Sequence, residues 1–425
     1  MNINPLHCLL LLCFSALLGV FDLAYSIPYG SPDSRSAAMG KTGVALAGST
    51  NSAYFNPALL AIYSERKHLG GHQRIALPSV IGFASNDTRD LVDIDDAEYD
   101  QQLTNGVTEF NNSLSPDALI SSLEALSDDL RDTSSEPLFA DVFADVIVSI
   151  PDRREGGAFH FGRRGVFDGK IDYTTNDQEL LSDYLEELRY VNGGGTPATL
   201  HPELYSGGQL INPSDTLDSS VDAIALLIDE LAMSMGWAVT WWDTDMMVGI
   251  TPKVIRITTY EFTADAVSSH LTQRGEHVNN VKLNLDLGWA KKLDDQITVG
   301  LAVHNLIAEK YHTESGRMIE LQPQVRLGGA YQSEWGDYAI DLDLLESDPL
   351  SKGDPTQELG IGGEWMIGNH SLRAGIVSNL AASGENTSPL YTFGARFNIG
   401  HFYTDLSYGT GKNQTGAALQ LGLSF

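Results

Sequence analysis

The sequence predicts an all-β fold, a transmembrane antiparallel β-barrel of about 14 strands with an N-terminal hatch and helical outer loops. Residues 233–425 show three features that indicate it: two-residue alternation, charge confined to one face, and connections that alternate between short and long. In the last strand, Leu419, Leu421 and Leu423 share one face, whereas Gln420 and Gly422 share the other. Side chains alternate across a strand, so each strand has an apolar face and a small or polar face. A soluble sandwich would show the same alternation.

The charged side chains of these strands fall on the small face. When the strands are folded back at Gly368-Asn369 and Gly400-His401, charges of opposite sign come to lie across from each other. Such pairs stabilise a hairpin modestly, and the register set by each turn agrees with them. The solvated face of an ordinary sheet would be the simpler interpretation. The predicted lumen charge pairs are Arg326 with Asp343, Glu364 with Arg373, and Arg396 with Asp405.

Connection lengths favour a membrane barrel over a sandwich. Short turns at 243–245, 293–295, 332–337, 368–369 and 400–401 alternate with mostly longer loops at 263–280, 308–323, 347–357, 381–389 and 411–415. Short turns at one end and long loops at the other are typical of outer-membrane barrels. The terminal Phe425 resembles the C-terminal aromatic signal of proteins inserted by the barrel-assembly machinery. The aromatic residues expected in interfacial girdles are Trp237, Trp241, Trp289, Trp365, Phe393, Phe397 and Phe402.

Composition limits the partners and the way of crossing a membrane. The chain has 425 residues and a formal net charge of −30, with 26 Lys and Arg against 56 Asp and Glu. Nucleic acid is therefore not an expected partner, because binding to phosphates requires basic side chains. After the N-terminus, no stretch is long and apolar enough for a membrane helix. Spanning a membrane would then require a closed barrel, with outer-membrane lipid around it.

The N-terminus has the features of a secretory signal peptide over residues 1–26. An apolar run at 9–20 precedes Ala24-Tyr25-Ser26, a small-x-small cleavage site. Both cysteines, Cys8 and Cys13, fall inside this segment, so the mature chain would contain none. Disulfide, thiol-nucleophile and cysteine–metal chemistry are then excluded.

The stretch 36–61 is small, glycine-rich and nearly uncharged. Asn56-Pro57 indicates a turn that opens a short helix, with Pro at its first position. Small residues suit a segment that passes inside a narrow barrel against other backbone. Gly40-Lys41-Thr42-Gly43 is not a phosphate-binding loop, because Lys-Ser/Thr must follow the second glycine and does not.

This stretch also resembles a known family. Met-Gly-x-x-Gly-Val-Ala at 39–45 and Tyr-Phe-Asn-Pro-Ala-Leu-Leu-Ala at 54–61 are similar to the N-terminal signature of the outer-membrane family named conjugal transfer protein TraF. They resemble, more distantly, the signature of FadL-type long-chain fatty-acid and hydrocarbon transporters. The resemblance implies a hatch at 27–63 that plugs a barrel at 64–425. By the same resemblance, the hatch motif is Gly40, Gly43, Asn56 and Pro57. The thioredoxin-like protein also called TraF is a different molecule.

Two long insertions are expected on the outer side, near 86–141 and 174–231. The first has Leu119, Leu123, Leu126 and Leu130 on one helical face, and the second has helical stretches at 178–188 and 219–231. These helices would either bury their apolar faces on each other as a cap or line an entrance for a hydrophobic ligand, as the resemblance to FadL-type proteins implies.

No catalytic constellation, cofactor motif or metal-ligand spacing is recognisable, so an enzyme is not expected. Asp341 and Asp343 could suggest acid–base chemistry or a cation site, but Arg326 makes a structural charge ladder the preferred interpretation. We expect an outer-membrane protein of a Gram-negative cell that passes a small apolar ligand through a hatch-gated barrel. The alternatives are a structural or surface-interaction barrel associated with conjugal transfer, and an open diffusion pore.

Overall fold

The structure is a computed structural model. It describes residues 30–47, 50, 52–62, 74–85, 99–134, 138–241, 244–265, 272–348, 350, 355–382, 388–412 and 414–425. The expected signal peptide lies outside these residues. Fourteen antiparallel strands close into a barrel, which confirms the predicted fold class and strand number.

The barrel strands pair in chain order, and the first strand closes on the last. They are β1 (Arg74–Ser85), β2 (Leu138–Ile150), β3 (Glu155–Asp172), β6 (Ser220–Trp241), β7 (Thr244–Asp265), β9 (Lys282–Lys292), β10 (Ile297–His304), β13 (Gln324–Gln332), β14 (Gly336–Asp343), β15 (Glu358–Ile367), β16 (His370–Asn379), β17 (Leu390–Ile399), β18 (Phe402–Thr410) and β19 (Gln414–Ser424). Strand β8 (Thr272–Val278) extends the wall beside the outer end of β7. Two small hairpins stand apart: β4 (Tyr205–Ser206) with β5 (Gln209–Leu210), and β11 (Glu309–His312) with β12 (Met318–Leu321).

The two faces of the barrel differ as the alternation predicts. On β19, Leu419 and Leu421 are 47% and 44% exposed, whereas Gln420 between them is 2% exposed. The apolar face is therefore on the outside and the polar face lines the lumen. An outward apolar surface is stable only against lipid, so the barrel spans a membrane.

The prediction of a helix at 219–231 is wrong. This stretch is the outer half of β6, which pairs with β3 from Ser220 to Trp237 and with β7 along nearly its whole length. Its apolar residues occupy both faces, because Ile224, Leu226 and Ile228 are buried inside the barrel. A continuous apolar run fits a buried strand as well as a helix, and the neighbouring strands decide between them.

Three helices form a cap over the outer end: α3 (Tyr99–Ser113), α4 (Asp117–Ser134) and α5 (Thr175–Asn192). Leu119, Leu123, Leu126 and Leu130 of α4 are fully buried in one apolar cluster with α3, α5 and Ile171 of β3. The apolar faces thus pack on each other, as in the first of the two arrangements considered for these insertions. Among the described residues, no helix is long and apolar enough to cross a membrane.

Candidate functional site: the hatch and the barrel lumen

Residues 30–47, 50 and 52–62, called the hatch below, run through the lumen. They include α1 (Ser34–Ala38), α2 (Ser52–Phe55) and a 3-10 helix at Pro57–Ala61. Helix α1 contacts strands β16 to β19, and the 3-10 helix contacts β3, β6, β7 and β9 on the other side. Nearly every described hatch residue is buried. The hatch therefore spans the lumen from wall to wall.

Glycines occur where the backbone of the hatch approaches the wall. Gly40 has a positive φ of 67°, and a Cβ there would lie 2.6 Å from the carbonyl oxygens of both Ile361 and Ile376. On the wall, a Cβ at Gly300 would lie 2.5 Å from the carbonyl oxygen of Val44. Real Cβ atoms do not approach backbone this closely, so a larger residue would displace the hatch.

Asn56 joins two parts of the hatch to the wall. Its Nδ2 donates to the carbonyl oxygens of Val44, at 2.9 Å, and of Trp289 in β9, at 3.0 Å. Its Oδ1 accepts from the backbone N–H of Ala58 and caps the 3-10 helix that Pro57 begins. Gly43 contributes space, because a Cβ there would meet the ring of Phe55 at 2.5 Å.

The first of two ion clusters, named the Arg35 cluster, fixes α1 to the wall. Arg35 donates from Nε to Glu364 and from Nη2 to Asp337, each at 2.8 Å. Arg373 then links Glu364, at 2.8 Å, to Asp405, at 2.6 Å. The cluster is almost fully buried and electrically balanced. Its members are Arg35, Asp337, Glu364, Arg373, Arg396 and Asp405.

The second cluster, the Lys41 cluster, lies nearer the outer end. Lys41 of the hatch contacts Glu358 at 2.5 Å. Arg326 donates from Nη2 to Asp343 at 2.9 Å and to Glu358 at 3.2 Å. Asp341 does not join Arg326: its Oδ2 accepts from the hatch backbone N–H groups of Gly43 and Val44, at 2.7 and 2.9 Å.

The structure thus brings together the lumen residues singled out in the sequence. Arg326 lies opposite Asp343, Glu364 opposite Arg373, and Arg396 opposite Asp405. Sequence reasoning missed the hatch partners Arg35 and Lys41 and the wall acids Asp337 and Glu358. A signal was present, since Arg35 and Lys41 are the sole basic residues in 27–63. Phe425 lies apart from the lumen, half exposed and stacked on His401 at 5.5 Å.

An apolar layer closes the lumen above the hatch. Hairpin β11–β12 folds inward and places Tyr311 and Ile319 against Ile255 and Ile257 of β7. Two asparagines tie the connection between β10 and β13 to the wall. Asn279 exchanges two hydrogen bonds with the backbone of His312, and Asn284 does the same with Ile307. The layer consists of Val166, Ile224, Leu226, Ile228, Ile255, Ile257, Tyr311, Ile319, Leu321 and Leu350.

Between the apolar layer and the hatch lies a lumen cavity of about 50 Å³. A space of this size holds a few water molecules. Lys253 lies on its wall, 3.0 Å from Asp286 and 3.2 Å from Glu230. Its lining is mixed: Gly30, Tyr54, Phe143, Gly162, Arg164, Ile228, Glu230, Lys253, Ile255, His304, Asn305, Leu321 and Gln324.

The outer cap contains a group with metal-ligand chemistry, formed by Asp183, His201 and Glu203, whose ligand atoms lie within 4.8 Å of one another. His201 already forms a 3.0 Å hydrogen bond with Glu203. Burial lowers the pKa of His201, but the surrounding carboxylates outweigh it and the net pKa is raised. The group is thus satisfied as an ion pair on the cap surface.

Comparisons with known proteins agree with this architecture. The toluene transporter TbuX of Ralstonia pickettii aligns over 96% of this chain and all of its own, with 12% identity and a TM-score of 0.50. The Pseudomonas putida toluene transporter TodX aligns over 95% of this chain and 99% of its own, with 11% identity and a TM-score of 0.46. A Pseudomonas aeruginosa FadL homologue aligns over 94% of this chain and 98% of its own, with 10% identity and a TM-score of 0.46. At such identities, the likeness to TbuX shows the fold alone.

A search of the curated proteins found no match to the sequence. A family described as "F plasmid transfer operon, TraF, protein" matches residues 53–343. The resemblances noted in the hatch motif are thereby confirmed. Because that match covers more than half of the chain, the protein belongs to this TraF family.

Proposed function

We propose that the protein is a hatch-gated transporter that moves a small hydrophobic molecule across the outer membrane. The observation that carries the proposal is the position of the lumen cavity, between an apolar layer and a hatch bound to the wall by side chains. An apolar solute leaving the outer side would pass the apolar layer and reach the hatch, whose displacement would open the way to the periplasm.

Part of the attachment of the hatch to the wall is polar. Arg35, Lys41 and Asn56 bind wall groups through ion pairs and hydrogen bonds, beside apolar contacts of the hatch such as the cluster of Leu59 and Ile62 with Met247. Polar contacts can be exchanged for water when the segment shifts. The similar fold of TbuX, a toluene transporter, is consistent with such a role.

The proposal includes export and assembly. Residues 1–26 would direct secretion and be removed after Ser26. The barrel-assembly machinery would then insert the barrel through the terminal strand β19 and Phe425. N-terminal sequencing of the protein purified from outer membranes tests the first step, with Ile27 as the expected first residue.

Uptake by intact cells tests the transport. A deletion strain complemented with the full chain should take up neutral aromatics such as ethylbenzene faster than the uncomplemented strain. A control strain carries the chain with Asn280→Ala, an exposed residue next to Asn279, and should transport normally. Equal uptake of aromatics and fatty acids with and without the protein would overturn the proposal and leave a structural role.

A further inference from the structure

We propose that the transported hydrophobic molecule is positively charged, an apolar amine or guanidine, because the lumen wall behind the hatch binds cations. The inference rests on the proposed function and names its substrate class. It begins from what the hatch already does: it presents one guanidinium and one ammonium group to carboxylates of the wall.

The wall of the Arg35 cluster is acidic without the hatch. Asp337, Glu364 and Asp405 then face only Arg373 and Arg396 within the cluster. Arg35 supplies the missing charge through contacts of 2.8 Å to Asp337 and 2.6 Å to Glu364, with all three side chains at most 2% exposed. The site thus accepts a guanidinium in a closely fitting, desolvated geometry.

The Lys41 cluster has the same property by a different arrangement. Asp343 and Glu358 face Arg326, and the ammonium group of Lys41 balances the remaining charge. Asp341, 2% exposed, loses both of its backbone donors when the hatch leaves, because they belong to Gly43 and Val44. Displacing the hatch would therefore leave carboxylates in excess over basic side chains at two heights of the passage, and an acidic lining favours cations.

The lumen cavity supplies acceptors before the hatch is reached. Asn305 lines it and is 91% buried, and its Oδ1 has no hydrogen-bond partner among the residues that the structure describes. Glu230 borders the same space, where it pairs with Lys253 at 3.2 Å, and Arg164 also lies on the lining. A protonated amine whose apolar body lies against Ile228, Ile255 and Leu321 could donate to these oxygens.

The outer cap is acidic, like the wall behind the hatch. Helices α3, α4 and α5 contain twelve Asp or Glu residues, with Arg131 and Arg189 as their only Lys or Arg. An acidic rim raises the local concentration of cations and lowers that of anions. The cap and the wall behind the hatch thus favour the same class of solute.

The test compares three solutes with the same phenyl-alkyl body: 2-phenylethylamine, 2-phenylethanol and 3-phenylpropanoate. Initial uptake through the full chain is measured in the complemented and deletion strains. We expect the amine to enter faster than the carboxylate by on the order of tenfold at low ionic strength. Salt should slow the amine and leave the alcohol unchanged, because it screens the acidic path.

A wall variant, Asp341→Asn, should lower uptake of the amine more than that of the alcohol. If it fails to assemble, the salt dependence of the unaltered chain decides. Uptake of the alcohol or of ethylbenzene that equals or exceeds that of the amine would overturn the cation inference and leave hydrophobic transport standing. The same holds if the carboxylate enters fastest. If every solute entered at the same rate with and without the protein, both the cation inference and the proposed transport function would be overturned.

Discussion

The Nε atom of Arg35 lies 2.8 Å from Oε2 of Glu364, so that the hatch and strand β15 share a buried ion pair. The Nη2 of the same guanidinium reaches Asp337 of β14. One hatch side chain thus bridges two neighbouring strands of the wall.

Replacing Arg35 should loosen the hatch. Arg35→Gln leaves Asp337 buried without its cation and Glu364 with Arg373 alone, and the loss of one partner of a buried pair typically costs about 3–5 kcal/mol. We expect the free energy of unfolding to fall and hatch residues to become sensitive to protease in folded barrels. Arg131→Gln is the matched control: its pair with Asp128 is about two-thirds exposed and should contribute at most about 1 kcal/mol. Equal effects of the two variants would contradict the role of Arg35.

Adding a methyl group to the wall should displace the hatch by contact alone. In Gly300→Ala the new Cβ would lie 2.5 Å from the carbonyl oxygen of Val44, whereas in Gly165→Ala nothing lies within 4 Å. We expect Gly300→Ala to cost about 1–3 kcal/mol and to increase conductance, and Gly165→Ala to behave like the unaltered chain. Measuring conductance in planar bilayers compares them, and a tightly closed Gly300→Ala barrel would refute the close packing.

The attachment of hairpin β11–β12 to the wall should depend on Asn279 and Asn284. Asn284→Ala removes the two hydrogen bonds with Ile307, each contributing about 1 kcal/mol. Hydrogen exchange at β11 and β12 should then become faster. Asn280→Ala changes the same type of residue at an exposed position and should leave exchange unchanged. Unaltered protection of the hairpin in Asn284→Ala would show that the apolar layer alone holds it.

The outer cap should loosen in acid through Glu187. Burial raises the pKa of this carboxyl, but backbone N–H donors, including His201 at 3.0 Å and Leu200 at 2.9 Å, outweigh it, and the net pKa is lowered. Because the pKa of Glu187 is lower in the folded state, its carboxylate stabilises the cap fully at pH values above the unfolded-state pKa. This stabilisation is lost as the pH falls through the folded-state pKa. The rate of backbone hydrogen exchange in residues 196–204 should therefore increase as the pH falls below the ordinary pKa of glutamate.

Glu187→Gln should remove this acid dependence and loosen the segment already at neutral pH. Glu179→Gln, an exposed residue on the same helix, is the control and should keep the original profile. An unchanged profile in Glu187→Gln would assign the acid response to another group.

The sequence predicted the lumen pairs because short turns fix the register of their hairpins. Gly368-Asn369 determines which residue faces Glu364, so Arg373 could be named without a structure. Arg35 could not be assigned a partner, because no local rule relates a hatch residue to strands about 300 positions later. The stretch 219–231 was wrongly predicted as a helix because both faces of its strand are apolar, which removes the two-residue period.

The conductance of single proteins in planar bilayers tests the central claim most directly. We expect the intact barrel to be closed and the barrel lacking residues 27–63 to conduct steadily. A large, steady conductance of the intact protein would contradict it, because the hatch would then not fill the lumen.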